Sequence, residues 1–199
     1  MMARWIMALI LVLAAPAASA QSYPALHDIT GVSSFLNIRQ GPGTGFAKVG
    51  RFLPGDTGIE VTGVNEAGTW GRVNHQEQAA WVFLAYLARQ PDDPDRPLTA
   101  SFRCFGTEPF WALALTQGDT AVLTTPSGPD QTFPVGMLAA ASNRTEPWLL
   151  DMGAGAVAVI HRAECSDGMS DRAYGLAIDL LTGAAPRTLM DGCCSLAVN

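Results

Sequence analysis

Four cysteines are the residues best suited to chemistry in this chain of 199 residues: Cys104, Cys165, Cys193 and Cys194. Thiolates attack electrophiles and bind metals, and in an oxidising compartment cysteines form disulfides. The even number favours two disulfides. Because a direct bond between the neighbours Cys193 and Cys194 would close a strained small ring, we expect each to bond to Cys104 or Cys165. Both remaining pairings stay open, and each bridge should contribute about 2 to 4 kcal/mol.

Metal binding and cysteine catalysis are the competing interpretations of these residues. Zinc sites usually contain Cys-x-x-Cys pairs or added histidines, and His161 is the one histidine in this half of the chain. Gly192-Cys193 resembles the Gly-Cys nucleophile segment of cysteine transpeptidases, but Cys194 stands where that pattern has Arg. A reactive thiol is also hard to keep free beside another cysteine outside the cell. We therefore expect no metal site, no cofactor and no catalytic residue.

Two carboxylates in the segment Asp167-Gly168-Met169-Ser170-Asp171 are a second candidate for chemistry, because Ca²⁺ prefers oxygen ligands. The spacing lacks the additional ligands and the closing Glu of a calcium loop. We expect Asp167 and Asp171 to hydrogen-bond the backbone of a turn instead.

Strands are the elements that must position these side chains, since short apolar or alternating runs are bounded by Gly, Pro, Asn and Asp. Residues 110–115 and 120–125 flank a Gln-Gly-Asp turn and predict a hairpin. Residues 156–160 and 173–180 predict a second pair of strands. The alanine-rich residues 136–143 are compatible with one or two helical turns.

A break in composition divides the chain. Residues 89–97 contain three prolines and no aliphatic side chain, which is typical of a linker. It separates a module at residues 21–88 from a cysteine-containing module at residues 98–199, each within the size range of one domain. We therefore expect two small hydrophobic cores.

The first module carries a series of spaced motifs. They are Leu36-Asn37-Ile38-Arg39-Gln40-Gly41-Pro42-Gly43-Thr44, Val49-Gly50, Leu53-Pro54-Gly55-Asp56, Gly58-Ile59-Glu60-Val61, Trp70-Gly71-Arg72-Val73, Ala80-Trp81-Val82 and Tyr86-Leu87. Over residues 30–88 this set resembles the bacterial SH3-like (SH3b) domains, and the resemblance is specific because several elements agree in order. Leu36 and Ile38 alternate with polar neighbours as in a half-buried strand, and a small antiparallel module loses its exposed edges by closing into a barrel.

The resemblance implies a non-catalytic binding module, because similar domains hold short peptides, including those of peptidoglycan. Phe46, Trp70, Trp81 and Tyr86 would supply flat faces for an extended peptide. Arg39 would pair with a carboxylate of the ligand. These five residues are the predicted ligand-binding site.

The second module also carries recognisable segments: Cys104-Phe105-Gly106-Thr107-Glu108-Pro109-Phe110-Trp111, Cys165 to Asp171, and Gly192-Cys193-Cys194. Over most of residues 100–195 they resemble a family of uncharacterised bacterial envelope proteins, which has no established activity to carry over. The predicted fold class is therefore all-β, a small SH3-like barrel followed by a disulfide-linked β-barrel or β-sandwich.

The first twenty residues have the pattern of a cleavable secretory signal. Arg4 precedes an apolar run from Trp5 to Ala15, and the small residues Ala17-Ala18-Ser19-Ala20 follow. The run is shorter than the roughly 20 residues of a membrane-spanning helix. We expect a signal peptide at residues 1–20, a periplasmic or secreted product, and no stable membrane insertion after cleavage.

The charge of the chain is acidic and uneven. The formal net charge is −6, and residues 98–199 hold five basic and ten acidic side chains. Because phosphate binding requires a basic patch, we expect no nucleic-acid partner. The expected function is binding of a cell-wall peptide or an envelope protein through the SH3-like module. The alternatives are an inhibitor or chaperone-like envelope factor acting through the second module and, less favoured, a cysteine-dependent cell-wall enzyme.

Overall fold

The protein is all-β in its computed structural model, which describes residues 22–153, 155–183 and 186–197. The predicted signal peptide, residues 1–20, lies outside the described residues. Within the described part of the chain, no helix is long and apolar enough to cross a membrane.

The first module consists of eight short strands in two small sheets. The strands are β1 (Ala25–Ile29), β2 (Leu36–Arg39), β3 (Lys48–Phe52), β4 (Ile59–Val61), β5 (Gly63–Val64), β6 (Trp70–His75), β7 (Gln78–Phe83) and β8 (Leu87–Arg89). The sheets have the strand orders β4-β1-β8 and β3-β2-β7-β6-β5. Alternate residues point inward, and Ile38, Val61, Val73 and Val82 form the centre of the SH3-like core.

The second module is one nine-stranded sheet that curls into a half-barrel. Its strands are β9 (Ser101–Thr107), β10 (Phe110–Thr116), β11 (Thr120–Thr124), β12 (Gln131–Pro134), β13 (Ala139–Ala140), β14 (Trp148–Asp151), β15 (Val157–Cys165), β16 (Tyr174–Thr182) and β17 (Thr188–Ser195). They follow the order β12-β11-β10-β9-β17-β16-β15-β14-β13. The concave face buries a core of its own, which includes Phe102, Trp111, Trp148 and Ile160.

Both predicted strand pairs are confirmed, because β10 pairs with β11 and β15 with β16. The helical turns suggested at residues 136–143 are wrong. Ala139 and Ala140 form β13, which pairs with Leu149 and Trp148 of β14. Alanine has the highest helix propensity of any residue, but intrinsic propensity is a small energy that pairing with an available strand edge outweighs.

Each of the two neighbouring cysteines bonds to a more distant one, as expected. Cys104 bonds to Cys194 and Cys165 to Cys193, so the described residues include no free thiol. Cys104 and Cys194 are directly opposed in β9 and β17 and are fully buried. The two adjacent residues of β17 point to opposite faces of the sheet, which directs their sulfurs to different partner cysteines.

The two modules contact each other through the β6–β7 hairpin and the segment before β16. The Asn74 side chain donates to the carbonyl of Ala173 and accepts from its N–H, at 3.0 Å each. The N–H of Ala79 donates to the carbonyl of Asp171 at 2.7 Å. Asp167 accepts from the backbone N–H groups of Met169 and Ser170 at 3.0 and 2.9 Å, so its predicted turn role is confirmed. Asp171 instead uses its backbone N–H and carbonyl, which bond to Glu77 and Ala79. The backbone thus joins the modules directly.

Glu60 of β4 forms a second, buried contact between the modules. Its carboxylate accepts from the hydroxyl of Ser195 at 2.5 Å and from the N–H of Leu196 at 3.0 Å, so β4 holds the end of β17. Burial raises the pKa of Glu60, although these hydrogen bonds and the positive charge of Arg103 act in the opposite direction. Burying a carboxylate costs free energy, and the two donors offset only part of that cost.

Candidate binding groove

Three aromatic side chains form a row on the first module. Trp70 begins β6, Phe83 ends β7, and Tyr86 ends the short 3-10 helix Leu84–Tyr86. The ring centroids of Trp70 and Phe83 are 5.5 Å apart, and those of Phe83 and Tyr86 are 6.0 Å apart. Tilted and edge-on rings at such distances stabilise one another and leave a continuous apolar surface.

The backbone around this aromatic row fixes its geometry. Trp70 and Phe83 are cross-strand partners, which places their side chains on one face of the sheet. The side chain of Asn65 accepts from the N–H groups of Thr69 and Trp70 at 2.9 Å each and so closes the turn before β6. The carbonyl of Tyr86 accepts from the N–H of Thr30 at 2.9 Å, which ties the 3-10 helix to the barrel.

The opposite wall of the groove comes from β2 and the loop after it. Leu36, Asn37 and Arg39 line it together with Gly43 and Thr44, and the enclosed volume is about 560 Å³. Binding sites for small ligands and short peptides are typically this size and mainly apolar with few polar groups. We call this site the aromatic groove; its lining residues are Leu36, Asn37, Arg39, Gly43, Thr44, Trp70, Phe83 and Tyr86.

Arg39 has a structural task at the groove in addition to its predicted one. Its Nη1 donates to the carbonyls of Thr44 at 2.9 Å and Phe46 at 2.8 Å, so it holds the loop closed. The guanidinium carries further donors in a fixed plane, which are suited to a carboxylate. Its pairing with a ligand carboxylate stays a prediction.

Three of the five predicted ligand-binding residues line the groove: Arg39, Trp70 and Tyr86. Phe46 and Trp81 are not among the residues that line it. The ring of Phe46 lies against Gly41, where an added Cβ would come within 2.5 Å of the ring. Trp81 lies beside Arg39 across β2 and β7, on the face away from the core. Whether any of the five contacts a ligand stays a prediction.

The other five lining residues were not predicted from the sequence; they are Leu36, Asn37, Gly43, Thr44 and Phe83. A signal for Phe83 was present, because β7 alternates and its buried residues, Ala80 and Val82, leave Phe83 on the outer face. For Leu36 the sequence offers no such indication, because an apolar residue at an inward position of a strand is expected in the hydrophobic core.

The groove lining is mainly apolar and aromatic, with one cationic side chain. Aromatic-lined grooves accept chains in the polyproline II conformation, whose side chains pack between the rings. The groove lining contains no thiol, histidine or carboxylate, and no group of three potential metal ligands occurs among the residues that the structure describes.

The bacterial SH3 domain is the family whose model matches this chain, at residues 34–88. The first module is therefore a bacterial SH3 domain, and the aromatic groove lies within the matched residues. No curated protein and no solved structure matches the chain. The resemblance of the second module to an envelope family has no support in these comparisons.

Proposed function

We propose that this chain is an exported, non-catalytic binding protein whose SH3 domain holds an extended peptide of the cell wall or of an envelope protein. The aromatic groove carries the proposal. Its row of three rings, two of them between one third and one half exposed, is an apolar surface beside a cationic side chain, Arg39. Such a surface fits a peptide with an apolar stretch and a carboxylate.

The cysteines support a binding role and an oxidising location. Both pairs are bonded, so Cys193 has no thiolate with which to attack a substrate. Disulfides persist in the periplasm and outside the cell, where wall peptides are accessible. Bacterial SH3 domains are known as cell-wall or peptide-binding modules.

Co-sedimentation with purified peptidoglycan tests the proposed function. We expect the full chain to sediment with the sacculi, and we expect Phe83→Ala and Tyr86→Ala each to weaken binding about tenfold, as the loss of about 1.4 kcal/mol from one aromatic contact would do. Both side chains are partly exposed, at 37% and 40%, so the barrel should tolerate their truncation.

Phe110→Ala is the matched control, since Phe110 is also an exposed aromatic but lies at the start of β10 in the second module. Circular dichroism of each variant establishes that it is folded. Wild-type binding by both groove variants, or equal loss in the control, would refute the groove as the ligand site. Absence of sedimentation together with binding of an envelope protein at the groove would select the second kind of ligand.

A further inference from the structure

The convex face of the second module carries apolar side chains that its own core does not use. Along β15 the residues Ala158 and Ile160 are buried, whereas Val157 and Val159 point outward and are partly exposed. Along β17, Met190 is buried and Leu189 is 64% exposed. Because successive strand residues alternate between faces, the outward apolar residues share one surface.

Strand register joins these residues into one patch. Val157 is opposite Leu181, which is opposite Leu189, and Val159 is opposite Leu149 of β14. Directly opposed side chains in antiparallel strands are in contact range. We define the outer apolar face as these five residues: Leu149, Val157, Val159, Leu181 and Leu189.

Three carboxylates lie among and beside the residues of the outer apolar face. Asp151 is opposite Val157, and Asp179 and Asp191 are opposite each other in β16 and β17. None of the three forms an ion pair with any residue in the described part of the chain. Like charges directly opposed across a strand pair are destabilising, so a cation placed between Asp179 and Asp191 would relieve a repulsion that the free protein carries.

The position of the face leaves it open to a partner. The SH3 domain contacts the other ends of these strands, through residues such as Ala173 and Ser195. A second copy of this chain fits poorly, because a two-fold contact would bring identical aspartates together in a protein of net charge −6.

We propose that the outer apolar face is a docking site for a protein segment with apolar side chains flanked by Lys or Arg. The apolar centre would lose water on binding, and the three carboxylates would meet the basic flanks. The rest of the partner is not specified by this chemistry. The site is independent of the aromatic groove, so either can fail while the other holds.

Fluorescence anisotropy with two helical probe peptides tests the proposal on the full chain. The peptides share the same leucines and differ only in having Lys or Glu at their polar positions. We expect the Lys peptide to bind and the Glu peptide not to bind. Leu189→Ser should weaken binding of the Lys peptide about tenfold, and the triple change D151N/D179N/D191N should weaken it and flatten its salt dependence.

Leu53→Ser is the matched control, because Leu53 is 50% exposed in the SH3 domain, and Asp130→Asn is the control for charge. Both should bind as the wild type does. The proposal is overturned if the Lys peptide does not bind, if the Glu peptide binds equally well, or if Leu189→Ser retains wild-type affinity. A concentration-dependent dimer that Leu189→Ser abolishes would also overturn it, in favour of a second copy.

Discussion

Replacing Cys104 and Cys194 together by alanine should lower the free energy of unfolding of the second module by about 4 to 5 kcal/mol. The disulfide joins residues 90 positions apart, and its loss frees a long loop in the unfolded chain. Both residues are also fully buried between β9 and β17. Urea unfolding followed by the fluorescence of Trp111 and Trp148, which lie in this core, measures the change.

The matched comparison is the double alanine variant of Cys165 and Cys193, whose separation is 28 residues. Its expected loss is smaller, about 3 to 4 kcal/mol, because the loop it closes is shorter. A larger loss for this pair than for Cys104 and Cys194 would contradict the expected dependence of the stabilisation on loop length.

Glu60→Ala should destabilise the docking of the two modules. It leaves the buried N–H of Leu196 without its acceptor, which costs about 1 to 3 kcal/mol. The hydroxyl of Ser195 keeps only the carbonyl of Ala197, at 3.4 Å, as an acceptor. Hydrogen exchange at the amide of Leu196 should accelerate more than exchange at the amide of Val82 in the SH3 core. Equal acceleration at both amides would indicate global unfolding and contradict a role specific to the interface.

The pH dependence of the free energy of unfolding separates the effect of the charge of Glu60 from the effect of its side-chain shape. Because burial raises the pKa of Glu60 in the folded protein, the folded state binds a proton more tightly than the unfolded chain. The contribution of this carboxyl is therefore greatest below the ordinary glutamate pKa and decreases as pH rises through the raised value. Glu60→Gln, which keeps the shape, should lack this decrease. If the free energy of unfolding depends on pH in the same way in the wild type and in Glu60→Gln, the raised pKa of Glu60 is contradicted.

The local motifs predicted much of the fold because each strand's alternation records which face is buried. Ile38, Val73 and Val82 point into the barrel as their spacing indicates. Contacts between modules had no such local signal. In the sequence, Glu60 is an ordinary polar residue of a strand motif. Its contact with Ser195, 135 positions away, forms only when the chain folds. A proline-rich linker likewise predicts separation and says nothing about docking.

The residues of the groove likewise divide into those that the local motif predicts and those that only the pairing of strands identifies. Trp70 and Tyr86 were recognisable as aromatic residues of the SH3 motif, and the cross-strand pairing that adds Phe83 follows from the register of β6 and β7. Phe46 is predicted to bind ligand only because it is aromatic, and its ring lies on Gly41 instead of in the groove. Residue type therefore indicates which side chains could contact a ligand, and strand register determines which of them lie in the groove.

Chemical-shift mapping of the full chain with a soluble peptidoglycan fragment that carries stem peptides is the most direct test of the central claim. We expect the largest perturbations at the indole of Trp70 and at the amides of Phe83, Tyr86 and Arg39, which line the aromatic groove. Perturbations confined to the second module, with the groove signals unchanged, would contradict it.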